Sequence, residues 1–223
     1  MYFMGDHHGD WEVVIRLIKQ FGLKDCYLIH LGDGGEGFLP LQKQLRQFDY
    51  MNDFFKTHNV QYMSIRGNHS DPFYFKGSNR VTLSNFTLIE DYTIAEYKGK
   101  LIQFIGGAIS IDRTDRILGS SYWEDEVVVY DKDKCHKVDI LITHTAPSRC
   151  FPHQLNQLVY NWALRDAYLI EELTDERTVM DAIFNICDPK LHLYGHFHSS
   201  VTEVIDDCKH KLLGINEIWE FVE

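Results

Sequence analysis

The sequence has 223 residues, 44% hydrophobic and 13% aromatic, which is enough for a sizeable core and too apolar for a disordered chain. It carries 22 basic and 33 acidic residues, and the resulting charge of −11 disfavours stable binding of duplex nucleic acid, because an acidic surface repels phosphate backbones. No apolar run reaches the roughly 18 residues of a membrane span, Met1-Tyr2-Phe3-Met4-Gly5-Asp6 lacks the features of a secretory signal, and the five cysteines include no Cys-x-x-Cys pair, so reduced thiols in a cytoplasmic protein are expected.

In chain order, Tyr2–Met4 reads as a short strand. Trp11, Val14, Leu17, Ile18 and Phe21 recur at helical spacing, with Gly22 as the stop. Residues 26–31 form a predicted strand. A second helix begins at Pro40 and carries Leu41, Leu45, Phe48, Phe54 and Phe55. Residues 60–65 read as a strand, and 90–104 as a hairpin turning at Lys98-Gly99-Lys100. Residues 138–142 are a strand of the buried type, and 165–187 are helical with a break near Thr174. Strands at 191–194, 201–205, 211–213 and 218–222 complete the chain. A β-α-β-α-β half followed by a strand-rich half implies an α/β fold with a mixed sheet pair and helices outside. Residues from about 106 to 137 break the alternation and read as an insertion within one domain spanning 1–223.

Five of these strands run into residues of one chemical type. They are followed by Gly5-Asp6-His7-His8-Gly9, Gly32-Asp33-Gly34-Gly35-Glu36, Gly67-Asn68-His69, Thr143-His144 and Gly195-His196-Phe197-His198. Ligand sites of α/β sheets lie beyond the carboxyl ends of strands. Carboxylate and amide oxygens mixed with neutral imidazoles suit Mn²⁺, Fe or Zn²⁺. On an extended backbone, residues two apart point the same way, so Asp6 with His8, and His196 with His198, are expected to converge while His7 points away. Asp6, His8, Asp33, Asn68, His69, His144, His196 and His198 are too many groups for one ion and fit two ions sharing a carboxylate.

The ordered series Gly-Asp-x-His-Gly, Gly-Asp-x-x-Glu, Gly-Asn-His, a lone His after a strand, and Gly-His-x-His resembles the calcineurin-like metallophosphoesterases. The motifs span Asp6 to His198. The resemblance implies a four-layer αββα sandwich of two mixed sheets with flanking helices, and a binuclear metal centre, Mn²⁺ being expected with Fe or Zn²⁺ as alternatives. It implies Asp6, His8 and His198 on one ion, Asn68, His144 and His196 on the other, and Asp33 bridging both. His69 would act on the substrate instead of holding metal. Glu36 stands where the family usually has an acidic residue that orients this histidine. In the implied mechanism a hydroxide bridging the cations attacks phosphorus in line, and protonated His69 stabilises the scissile oxygen.

The segment Ser110-Ile111-Asp112-Arg113, followed by Arg116, Gly119 and Tyr122-Trp123, is similar to one in a bacterial and phage branch of the same family. Arg113 and Arg116 either clamp phosphate oxygens through their guanidinium forks or pair with Asp112, Asp115 or Glu124 and hold the loop. Arg149, five residues after His144, is a third candidate for substrate binding. His7, His30, His58, His136, His153, His192 and His210 read as ordinary core or surface histidines. Glu36 is followed by Gly37 and Phe38, without the Asp-Arg-Gly of protein phosphatases, and His69 is followed by Ser70 and Asp71 where Glu is usual. A phosphoprotein phosphatase is therefore disfavoured, and the negative charge disfavours a nuclease. A small phosphorylated molecule or a nucleotide, as monoester or diester, is the expected substrate. A catalytically inactive metal-binding scaffold is the alternative of another class; retention of all eight positions favours the hydrolase.

Overall fold

The structure is a computed structural model that describes residues 1–222. In chain order the main elements are β1 (Tyr2–Met4), α1 (Trp11–Phe21), β2 (Cys26–His30), α2 (Leu41–Thr57), β3 (Val60–Ser64), β4 (Phe86–Leu88), β5 (Ile94–Tyr97), β6 (Lys100–Ile105), β7 (Ile140–Thr143), α3 (Gln157–Ala163), α4 (Leu169–Cys187), β8 (Leu191–Tyr194), β9 (Val201–Ile205), β10 (Cys208–Leu212) and β11 (Ile218–Glu220). One sheet has the order β11-β1-β2-β3-β4 and the other β5-β6-β7-β8-β10-β9. Each is parallel in its middle and antiparallel at an edge: β11 runs against β1, β5 against β6, and β9 against β10.

Side-chain alternation along the strands builds the layers. Met4 and Leu28 face α1 and α2, where they join Val14, Ile18, Phe48 and Phe55. Their neighbours Phe3 and Ile29 face the opposite way, into a core between the sheets shared with Phe104, Ile140, Ile142 and Leu193. Leu141, between Ile140 and Ile142, points out of that core toward Met180, Ile183 and Phe184 of α4. The result is four layers, helix-sheet-sheet-helix, as the sequence implied. The first helix starts where Asp10 Oδ1 accepts from the Val13 N–H, and ends at Gly22 in a left-handed conformation (φ 62°).

Three differences from expectation have local causes. The helix α4 is unbroken at Thr174, whose hydroxyl donates to the Ile170 carbonyl and stays compatible with the helix. Strand β4 follows the short turns at 72–79 and pairs with β3 through only three residues, too few for a periodic signal. Helix α3 is seven residues long and capped by Asn156, whose side chain accepts from the Val159 N–H. Residues 106–137 contain short 3-10 turns and an isolated bridge between Leu118 and Tyr122, and connect β6 to β7. Among the described residues no helix is long and apolar enough to cross a membrane, and all five cysteines are free thiols.

Candidate metal centre

Asp6, Asp33 and Asn68 follow β1, β2 and β3, which are parallel neighbours in one sheet. His144 and His196 follow β7 and β8, parallel neighbours in the other. The carboxyl ends of both sheets therefore deliver their loops to one place. Asp6, His8, Asp33 and His198 place their ligand atoms within 4.8 Å of one another, as do Asp33, His144 and His196. Asp33 belongs to both groups.

The convergence has a different cause from simple strand alternation. His8, Asp33, His196 and His198 have φ of 48°, 63°, 68° and 51°, so the chain leaves each strand through a left-handed turn that swings the side chain inward. His7 does point away. It is buried against Trp11 and His30, with ring centroids 4.4 Å from each. Two glycines leave the room that the cluster needs. A Cβ at Gly67 would lie 2.1 Å from Asp33 Oδ1 and 2.7 Å from His144 Nε2, and one at Gly195 would lie 2.4 Å from Asp6 Oδ1.

The hydrogen bonds around the cluster leave lone pairs facing each other. The His144 Nδ1–H donates to the Leu31 carbonyl at 2.7 Å, so a neutral ring presents the Nε2 lone pair. That nitrogen lies 3.1 Å from Asp33 Oδ1 and 3.2 Å from Asn68 Oδ1. The Asn68 amide nitrogen is committed to Ser110 Oγ at 3.0 Å, which fixes its oxygen toward His144 and toward His196 Nδ1 at 2.9 Å. On the other side His8 Nε2 and His198 Nε2 are 3.0 Å apart, and His198 Nε2 is 3.4 Å from Asp6 Oδ2. Acceptors crowded in this way need a proton or a cation between them. With protons alone, burial would lower the His144 pKa, but the Asp33 charge outweighs it and lifts the ring to about 9. Burial would raise Asp33, but His144 and His69 hold it well below the carboxylate range. The oxygen and imidazole donors of each group are of the kinds that take a divalent cation in place of that proton.

His69 lies beside the cluster. Its backbone N–H donates to Asp33 Oδ1 at 2.7 Å, and its ring Nε2 is 2.6 Å from Arg116 Nη2. Burial, then the Arg116 charge against the pull of Asp33, lowers its pKa to about 4. The expected protonated His69 is thus replaced by a neutral ring that accepts from Arg116. The expected bond from Glu36 to His69 is not formed. Glu36 is fully buried and its Oε2 accepts from Ser70 Oγ at 2.7 Å, while its backbone carbonyl accepts from the Asp71 N–H at 2.6 Å. Glu36 braces the turn that carries Asn68 and His69 and makes no hydrogen bond to the His69 ring.

The three arginines separate. Arg116 faces the cluster, held by Asp112 Oδ1 at 2.6 Å as well as by His69. Arg113 points elsewhere and pairs with Asp166, 2.5 Å away, and with Glu172, tying its loop to the start of α4. Arg149 bonds Asp206 and Asn185 and lies over the Phe184 ring near the C-terminal end of α4. Neither lines the cavity at the metal cluster, whose volume is about 860 Å³. Three supporting residues escaped sequence reasoning. Ser110 holds Asn68, and Glu126 accepts from the Ser110 N–H at 2.7 Å. Half-buried Arg177 donates to the carbonyls of Ala146 and Pro152 at 2.6 Å each, fixing the loop after His144. The position of Ser110 beside Asp112-Arg113 was the one available signal.

A family model described as calcineurin-like phosphoesterase matches residues 1–200. No curated protein matches the chain significantly. Among solved structures, a conserved protein of Streptococcus pneumoniae described as a predicted phosphoesterase is 12% identical, with 96% of this chain and 72% of that one covered at a TM-score of 0.33. An archaeal phosphodiesterase is 13% identical, with coverages of 96% and 84% and a TM-score of 0.38. The phosphopantetheinyl hydrolase of Mycobacterium tuberculosis is 11% identical, with coverages of 96% and 89% and a TM-score of 0.45.

Proposed function

The chain belongs to the calcineurin-like phosphoesterase family and is a metal-dependent phosphoesterase, and we propose that it hydrolyses small phosphate esters at a pair of divalent cations. The observation that supports the pair is Asp33, whose carboxylate is common to both ligand groups. Asp6, His8 and His198 would hold one ion, Asn68, His144 and His196 the other, with Mn²⁺ as the expected metal. When bound, such ions supply Lewis acidity toward phosphate oxygens and a deprotonated water near neutral pH.

The chain's own residues then do the following. Asp33 aligns the two halves of the site, because its Oδ1 also receives the His69 N–H. Ser110 fixes the Asn68 amide so that only its oxygen faces inward. The fork of Arg116 is aimed by His69 and Asp112 and offers N–H donors and positive charge to the phosphoryl and leaving oxygens. His69 acts at the substrate by fixing that fork, and Glu36 supports it through Ser70. Free cysteines throughout support a reducing compartment such as the cytoplasm.

The test is turnover of p-nitrophenyl phosphate and of bis(p-nitrophenyl) phosphate by the Mn²⁺-loaded protein. Metal-dependent release of nitrophenolate from either ester is expected. Rates equal to buffer on both, with metal bound, would refute the proposal and favour a scaffold.

A further inference from the structure

The cavity is larger than a phosphoryl group requires. At about 860 Å³ it lies toward the upper end of small-molecule sites. His69, Arg116 and the candidate ligands form one part of its wall. The same cavity continues into an annex between residues 151–162 and α4, walled by Phe151, Leu155, Leu158, Val159, Trp162 and Leu173. Four of these, Leu155, Val159, Trp162 and Leu173, pack in one apolar cluster with Ile109.

Most polar side chains of that wall are already engaged inside the protein; the Gln154 amide and Glu176 Oε1 are the exceptions. Arg177 is taken up by the backbone carbonyls of Ala146, Pro147, Cys150 and Pro152. Asp181 accepts from the Ser148 N–H and Oγ, and Glu176 Oε2 accepts from Thr145 Oγ1. His153 pairs with Glu203, and Asn156 caps α3. The hydroxyls of Thr174 and Thr178 donate back into α4. A nucleobase or a sugar entering the annex would give up its hydrogen bonds to water, and each unreplaced bond costs about 1–3 kcal/mol. An alkyl or aryl group loses nothing there and gains from burial.

From this continuity of a phosphoester site with a predominantly apolar annex whose polar groups are mostly spent, we infer that the substrate is a phosphate ester bearing an alkyl or aryl group seated in the annex, and not a nucleoside ester. The inference rests on the proposed hydrolysis at the metal centre and names the organic half of the substrate. Specificity then comes from buried apolar area, at about fourfold in kcat/KM per methylene until the annex is filled.

The experiment uses the Mn²⁺-loaded protein and two series, n-alkyl p-nitrophenyl phosphates and n-alkyl phosphates from methyl to hexyl, with thymidine 5′-p-nitrophenyl phosphate and thymidine 5′-phosphate alongside. In the series that is turned over, kcat/KM should climb about fourfold per added methylene, and the nucleoside ester should fall below the hexyl ester. Leu158→Asp, at a half-exposed position that tolerates a charge, should flatten the climb, and so should Trp162→Ala. A flat or falling dependence on chain length, a preferred nucleoside ester, or a climb untouched by both variants overturns the inference while hydrolysis of the short esters upholds the proposed function. Absence of turnover on every ester overturns both.

Discussion

Glu36→Gln is the substitution whose outcome follows most directly from burial. Burial lifts the Glu36 carboxyl from 4.5 to about 7, against the opposing bond from Ser70. The folded state therefore holds the proton more tightly than the unfolded chain. The stability this contributes is fully present below about pH 4.5 and is lost as the pH rises through about 7. At about 1.36 kcal/mol per tenfold, the interval from 4.5 to about 7 corresponds to about 3 kcal/mol lost by pH 8. Glutamine keeps an acceptor for Ser70 and cannot ionise. Its amide would meet the place where Glu36 Oε1 already lacks a partner, so the exchange adds no new unpaired group of consequence. Urea unfolding of the metal-free proteins in EDTA at pH 5 and pH 8 measures the difference. The variant should be ahead by less than about 1 kcal/mol at pH 5 and by about 3 kcal/mol at pH 8, a midpoint shift above about 1 M at the higher pH for an m value of roughly 2 kcal/mol/M. A variant equal to or weaker than the parent at pH 8 would refute an ionisable, desolvated Glu36.

Further outcomes follow from the same geometry. Gly67→Ala should abolish metal binding while the chain still folds, because the added carbon would occupy the space between Asp33 and His144; calorimetric titration with Mn²⁺ checks it. His69→Ala should keep the metal content measured by mass spectrometry and lower turnover by roughly 10², because Arg116 loses the ring that aims its fork. Arg116→Ala should raise the KM for phosphate esters and lower kcat, whereas Arg113→Ala should leave both unchanged and lower stability by about 1–3 kcal/mol, since its partners Asp166 and Glu172 hold the loop to α4.

The layers and the cluster were largely legible in the chain. Strand alternation separates Phe3 from Met4 and Ile29 from Leu28, and each of the two sheets draws its parallel core from such runs. The ligand types at five strand ends were legible because they are polar residues where a strand would otherwise continue. What stayed hidden depends on contacts between segments distant in sequence. Nothing near Arg113 in the chain announces Asp166 and Glu172 some fifty residues later. The bond from Ser70 to Glu36 and the engaged guanidinium of Arg177 are hidden in the same way, because a charge on α4 that faces backbone carbonyls looks like a solvated helix position until the loop is folded over it. The left-handed turns at His8, His196 and His198 also escaped, since none is a glycine.

The central claim is that one carboxylate, Asp33, is shared by two cation sites. The most direct measurement is the Mn²⁺ stoichiometry of the parent chain and of Asp33→Asn, by equilibrium dialysis and elemental analysis. The account predicts a pair of ions per parent chain and, in the variant, loss of metal together with phosphoesterase turnover. An Asp33→Asn protein that still binds the pair and hydrolyses p-nitrophenyl phosphate at the parent rate would contradict it.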